Sequence, residues 1–172
     1  MSTERAKSIE PVAERPYMPG YGLPEGADAL IPWSWAAKRL EGSHNYWLAT
    51  SRPDGRPHLM VIWGLWLDGV FFFSTGRHSR KTRNLESNPH CVIGTEDAHE
   101  AVVVEGAAEK LRNVGQLEEF LVLYKGKYDY DMSSMQEDIL ALREPIFAVR
   151  PSVAFGLDEK AGLQNATRWR FA

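Results

Sequence analysis

The chain has 172 residues, 44% hydrophobic and 25% charged, which is the balance of an ordinary globular protein. That excludes a wholly disordered, collagen-like or coiled-coil chain, and the length suits one domain plus a tail. With 20 Lys and Arg against 23 Asp and Glu the net charge is −3, so no global basic field draws nucleic acid; the single Cys91 excludes an internal disulfide and a cysteine-based zinc cluster.

Residues 1–16 alternate charge with small residues and lack the apolar stretch of a targeting signal. The apolar runs, residues 70–73 among them, fall far short of the ~20 residues a membrane helix needs. The expectation is a cytoplasmic protein with no membrane segment. Residues 1–15 read as a mobile tail. Residues 16–26 hold three Pro and three Gly and read as extended chain, either a linker or a strap across the domain or a partner subunit. The expected organisation is an N-terminal tail over residues 1–30 and one domain over residues 31–172.

Residues 32–40 predict a short helix with Trp33, Ala36, Ala37 and Leu40 on one face, stopped by Gly42 and Ser43. Residues 45–50 predict a strand, and Ser51-Arg52-Pro53-Asp54-Gly55 a turn. Residues 57–67 predict a second strand ending at the hairpin signal Asp68-Gly69, and residues 70–75 a third. Residues 79–87 predict a helix with Ser79 as N-cap and Asn88-Pro89 as terminator. Residues 90–95 and 101–111 are strands four and five, with Gly106 and Ala107 marking a bulge or a close backbone approach. Helices follow over residues 113–124 and 134–142, then a sixth strand over residues 145–155, kinked at Pro151, and a short strand at residues 167–171. Strands dominate and tight turns join many of them, so the fold class is mainly β, a small antiparallel barrel with peripheral helices.

The densest chemical signal is Gly76-Arg77-His78-Ser79-Arg80-Lys81-Thr82-Arg83-Asn84. Four basic residues and two hydroxyls surround a helix start, where free N–H groups and the positive dipole end favour phosphate. A solvated, charged helix face is the alternative. Ser74 and Thr75, at the end of the third strand, either bond a ligand or simply end the strand. No two of His44, His58, His78, His90 and His99 have zinc-ligand spacing, so no metal site is expected. His58 and His78 flank strands near the basic segment and read as surface or structural residues. There is no Gly-x-Ser-x-Gly elbow, and Cys91 sits in an apolar strand as a buried, inert thiol. An anion site and many aromatics without an evident acid, base or nucleophile suit redox chemistry carried by a bound cofactor.

Two stretches carry a family resemblance. One is Tyr46-Trp47-Leu48-Ala49-Thr50 with Asp54-Gly55-Arg56-Pro57-His58. The other is Phe73-Ser74-Thr75 with Ser79-Arg80-Lys81-Thr82-Arg83-Asn84-Leu85 and Asn88-Pro89. In this order they resemble the pyridoxamine 5′-phosphate oxidase-like superfamily of flavin and deazaflavin binders, especially its coenzyme F420 oxidoreductase branch. The resemblance implies a six-stranded Greek-key split β-barrel, a homodimer, and FMN or F420 in the dimer groove. It implies that Ser79, Arg80 and Lys81 hold the cofactor phosphate, that Asn84 supports the loop, and that Ser74 and Thr75 approach the phosphate or ribityl chain. Met60, Val61, Ile62 and Trp63 would run beside the ring, and Arg168, Trp169 and Arg170 would close the far side. The oxidases proper carry an Arg and a Lys where this chain has Met60 and Leu65, so their own activity is not implied. The expected function is an oxidoreductase passing a hydride between the cofactor and a small organic substrate. The rival is a non-catalytic cofactor or haem binder, for which His58, His78 or Tyr46 would be the axial ligand.

Overall fold

The computed structural model describes residues 10–172. Its elements in order are β1 (Val12–Glu14), α1 (Trp33–Gly42), β2 (Tyr46–Ser51), β3 (Pro57–Ile62), β4 (Leu65–Leu67), β5 (Val70–Ser74), α2 (Arg80–Ser87), β6 (His90–Thr95), β7 (Glu100–Lys110), α3 (Val114–Tyr128), α4 (Gln136–Leu140), β8 (Ile146–Asp158) and β9 (Thr167–Arg170). The strand order β1-β9-β8-β7-β6-β2-β3 is antiparallel, and β5 joins from β8 with β4 on its outer side. The barrel path is therefore β3-β2-β6-β7-β8-β5-β4. Its two ends, β3 and β4, are one segment of chain, so the barrel is split where that segment breaks. This is the mainly β, six-stranded split barrel with peripheral helices, to which β1 and β9 add a two-strand flap.

Alternation builds the core. Tyr46, Leu48 and Thr50 of β2 point inward and are buried, as are Phe71 and Phe73 of β5 and Val102 and Val104 of β7. A second cluster lies outside the barrel wall, where Leu117, Phe120 and Tyr124 of α3 meet Leu65 of β4 and Ile139 of α4. Among the described residues no helix is long and apolar enough to cross a membrane.

β8 pairs β7 over its whole length, while its other edge serves β5 first (146–149) and β9 later (153–156). The change occurs at Pro151, which has no N–H to donate. There Gly106 faces Pro151 while Glu105 faces Val153, so Ser152 is the bulged residue. Ser152 Oγ donates to the Glu105 carbonyl (3.1 Å) and the Ser152 carbonyl accepts the Phe171 N–H (3.0 Å), so the bulge leaves little backbone unpaired. The expected bulge at Gly106 and kink at Pro151 are thus one feature.

Three expectations are corrected. Residues 57–67 are two strands, because the chain turns at Trp63-Gly64. The Gly64 N–H donates to Tyr128 Oη (2.9 Å), and its carbonyl accepts from Tyr128 Oη (2.7 Å) and Lys127 Nζ (3.2 Å), so α3 replaces the sheet partners lost at the break. The helix expected over residues 134–142 shrinks to one 3-10 turn and the five-residue α4. Of the expected mobile tail, residues 1–9 lie outside the described residues, whereas Val12–Glu14 pairs with β9. Glu14 holds both Arg168 (2.7 Å) and Arg170 (2.8 Å), and Arg15 donates to the carbonyls of Gly26, Asp28, Gln164 and Ala166.

Two glycine variants test this account in urea unfolding. A Cβ at Gly106 would stand 2.3 Å from the Arg150 carbonyl, so Gly106→Ala is expected to lose about 3 kcal/mol or more. A Cβ at Gly126, inside α3, meets nothing within 4 Å, so Gly126→Ala is expected to gain about 0.5–1 kcal/mol. Equal effects would contradict the bulge.

Candidate functional site

α2 starts where β5 ends. Ser79 is in extended backbone (φ −66°, ψ 159°), and its Oγ accepts the Thr82 N–H at 3.1 Å, an N-cap as expected. Thr82 Oγ1 donates to the Gly76 carbonyl (2.9 Å), so Ser79 donates to Thr82 (3.2 Å) and Thr75 donates to Ser79 (3.0 Å). One proton per hydroxyl fixes these directions. The Ser79 hydroxyl is thereby committed to shaping the turn. The N–H groups of Arg80 and Lys81 precede any intrahelical partner and are the donors this helix start offers outward, with the dipole behind them.

The α2 residue Asn84 is fully buried, and its Nδ2 donates to Thr50 Oγ1 on β2 at 2.9 Å. This bond seats α2 against the inner face of β2. It also brings the 80–81 pair beside the β2–β3 turn, where Arg52 and His58 stand. Register places His58 opposite Thr50, with Nδ1 3.5 Å from Thr50 Oγ1. Burial, and then Arg52, Lys81 and Arg80, hold His58 below the usual histidine pKa. Burial likewise lowers Lys81 below the usual lysine range. Among the described residues, no ion pair involves Arg52, Arg80 or Lys81. Three basic side chains thus act on His58 with no carboxylate paired to them. Arg52 and His58 escaped sequence reasoning as members of this cluster. The signal was the Thr50–His58 register across a short turn, which meant nothing until α2 was seen to pack there.

From this cluster β3 runs as the free edge of the sheet. Met60 faces the same side as Leu48, yet lies beyond the core and is 45% exposed. Val61 faces the opposite side, beside Trp47, and Leu59 shares that side; their exposures are 46%, 44% and 56%. Ile62 is buried, and Trp63 stacks on Tyr128 with centroids 4.7 Å apart while its Nε1 donates to Asn45 (3.1 Å). Of the four expected ring-side residues, only Met60 and Val61 present exposed side chains, on opposite faces. What they share is a strand edge with unpaired backbone groups. Ser74 ends β5 opposite Ile146 and is half-buried.

The fold recurs in known proteins. The family model for pyridoxamine 5′-phosphate oxidase matches residues 36–150. The chain belongs to that family. An F420 reductase structure is 25% identical over 77% of this chain and 98% of its own, with TM-score 0.55. A conserved hypothetical protein from Mycobacterium tuberculosis is 23% identical over 80% of this chain and 91% of its own, with TM-score 0.66. A haem storage protein from Vibrio cholerae shares the fold at 17% identity, over 67% of this chain and 87% of its own, with TM-score 0.54. No curated protein matches the chain.

Other expected residues of this pyridoxamine phosphate oxidase family member lie apart from the cluster. Trp169 is fully buried against Trp33 (5.3 Å), its ring seated over Gly156, and Arg170 is held by Glu14. Within one chain, β8, β7 and β6 separate both from β2. Of the possible axial ligands, Tyr46 is fully buried, donates to the Leu40 carbonyl and accepts from Lys127 Nζ (2.8 Å); His58 stands among the cations, and His78 is exposed in the loop before Ser79. Leu65, where the oxidases proper have Lys, is buried against α3. Among the described residues no group of three His, Cys, Asp or Glu could hold a metal.

Cys91 is buried, and burial pushes its thiol up to about 12. At neutral pH a thiol-directed reagent is expected to label it only after denaturation. Fast labelling of the native protein would show that β6 opens.

Proposed function

We propose that this chain is an oxidoreductase that holds a flavin-type cofactor, FMN or F420, with the cofactor phosphate at the start of α2 and its ring along the edge of β3. The observation that carries the reading is the set of uncompensated cations, Arg52, Arg80 and Lys81, beside an open strand edge. Like charges gathered without carboxylate partners make a local positive field that favours an incoming anion. The F420 reductase similarity and the family match support the same reading. Bound there, such a cofactor supplies hydride transfer to or from a small organic substrate.

The chain's own residues have distinct tasks. Arg80 and Lys81 supply charge-assisted bonds and their backbone N–H groups. Ser79, Thr75 and Thr82 hold the loop shape that points those groups outward. Asn84 fixes the helix to the sheet. The unpaired backbone of β3 beside Met60 offers donors and acceptors to the edge of a planar ring, and the apolar side chains on either side exclude water from its faces. The outward face carrying Trp47, Leu59 and Val61 is the natural contact for a second copy, which would make the enzyme a homodimer and bring partner residues to the exposed side of the cofactor.

Arg80→Ala with Lys81→Ala is expected to weaken cofactor binding about a hundredfold or more, since each charge-assisted bond is worth about 1.5–3 kcal/mol. Circular dichroism should be unchanged, because neither side chain is in the core. Undiminished affinity for both FMN and F420 would refute the phosphate assignment. Leu59→Lys with Val61→Lys should convert a dimer to a monomer in sedimentation velocity. A wild type that sediments as a monomer would remove the dimer from the proposal.

A further inference from the structure

His58 is the imidazole of the cation cluster, and the hydrogen bond it shares with Thr50 suits both of its charge states. Thr50 Oγ1, 3.5 Å from His58 Nδ1, already receives a proton from Asn84 Nδ2, and its own proton can turn toward a bare Nδ1. When Nδ1 is protonated the same oxygen can accept from it. Thr50, buried and fixed by the β2–β3 register, thus engages Nδ1 and leaves Nε2 without a hydrogen bond to the described residues.

The groups facing His58 are Arg52 from the β2–β3 turn and Arg80 and Lys81 from α2, all cationic, with no carboxylate among them. In the empty site these charges and partial burial oppose protonation, and His58 is neutral at physiological pH. A phosphate group entering among them reverses the local field and gives Nε2–H an acceptor.

We propose that His58 is a further ligand of the cofactor phosphate and takes up a proton as that phosphate binds. The inference rests on the phosphate reading above and adds a residue and a proton to it. The sign follows from linkage. Below the empty-site pKa the imidazole is already charged, and above the bound-site pKa it is neutral in both states. Between the two, binding consumes a proton, so affinity falls as pH rises. Where the uptake is complete the slope is about tenfold per pH unit.

The test measures Kd for FMN and for F420 between pH 6 and pH 9 in wild type, His58→Gln, His58→Arg and the Arg80→Ala/Lys81→Ala double variant. An FMN phosphate has its own second ionisation near about pH 6. It acts in every variant alike, so the comparison between variants isolates His58. In wild type, affinity for whichever cofactor binds should fall with pH by up to about tenfold per unit more steeply than in His58→Gln. His58→Arg carries a permanent cation and should retain tight binding at pH 9, without the fall in affinity that wild type shows. His58 is half exposed, so both single variants should keep the fold. A wild-type profile that matches His58→Gln, or a His58→Arg variant that keeps the wild-type slope, overturns the proposal. If the double variant loses affinity as expected, the phosphate reading survives that result. If the double variant binds as tightly as wild type, or neither cofactor binds wild type, the phosphate reading itself falls and the proposal with it.

Discussion

One strand carries two obligations. β8 must continue its ladder with β7 while handing its other edge from β5 to β9. A regular strand has no reason to change neighbours midway. Pro151 supplies one, because it cannot donate and its ring forbids a straight continuation. The bulge at Ser152 absorbs the extra residue, and Gly106 lets the two backbones approach where a side chain would collide with the Arg150 carbonyl. With the strand divided, its first half continues the barrel wall into β5 and its second half carries the flap of β9 and β1. Trp169 then fills the space under that flap, which explains why a residue expected at a cofactor is in the core.

Closure through β5 also sets the site. Since β5 pairs with the first half of β8, its C-terminal end emerges beside the barrel, and the chain turns at once into α2. The buried bond from Asn84 to Thr50 then fixes that helix against β2. The helix start, the β2–β3 turn and the free edge of β3 come together as a consequence. The gap between β3 and β4 is the complement of this arrangement. Gly64 leaves the sheet, and Tyr128 and Lys127 from α3 take over its backbone groups. Burial lowers Lys127 to about 8, a penalty offset by three acceptors, Gly64 O, Glu41 O and Tyr46 Oη. An open barrel edge is therefore actively maintained by α3.

Local signals made much of this legible in the sequence. Asp68-Gly69 and Ser79 with Thr82 act within a few residues, and Gly106 and Pro151 announce the irregularity by residue type although they meet across two strands. The break at Gly64 was not legible, because its cause is a helix some sixty residues downstream (Tyr128 − Gly64 = 64). The short α4 failed for a related reason: residues 141–144 leave the helix as Leu142 takes a positive φ of 60° and the Arg143 and Glu144 N–H groups both return to the Asp138 carbonyl. At the site, the helix start was readable from its residue types. Arg52 and His58 were not, since nothing in the 50–58 stretch says which helix will dock there.

The cluster's charge depends on where the nearby carboxylates are spent. Asp54 lies two residues from Arg52, but it binds Arg56 through both Nε (3.0 Å) and Nη2 (2.7 Å), which keeps its carboxyl below the usual range. Glu144 accepts from the Arg77 N–H (2.9 Å) and pairs with its guanidinium (3.5 Å). Glu86, on α2 itself, pairs with Lys110 of β7 (2.6 Å). Each of these three acids is held by a base other than Arg52, Arg80 and Lys81. A chain with net charge −3 thus keeps one local region positive by pairing its acids elsewhere. Exposed pairs of this kind add little stability, on the order of 0–1 kcal/mol each. Their effect here is one of placement, because they tie these acids to other bases and leave Arg52, Arg80 and Lys81 without an ion-pair partner among the described residues.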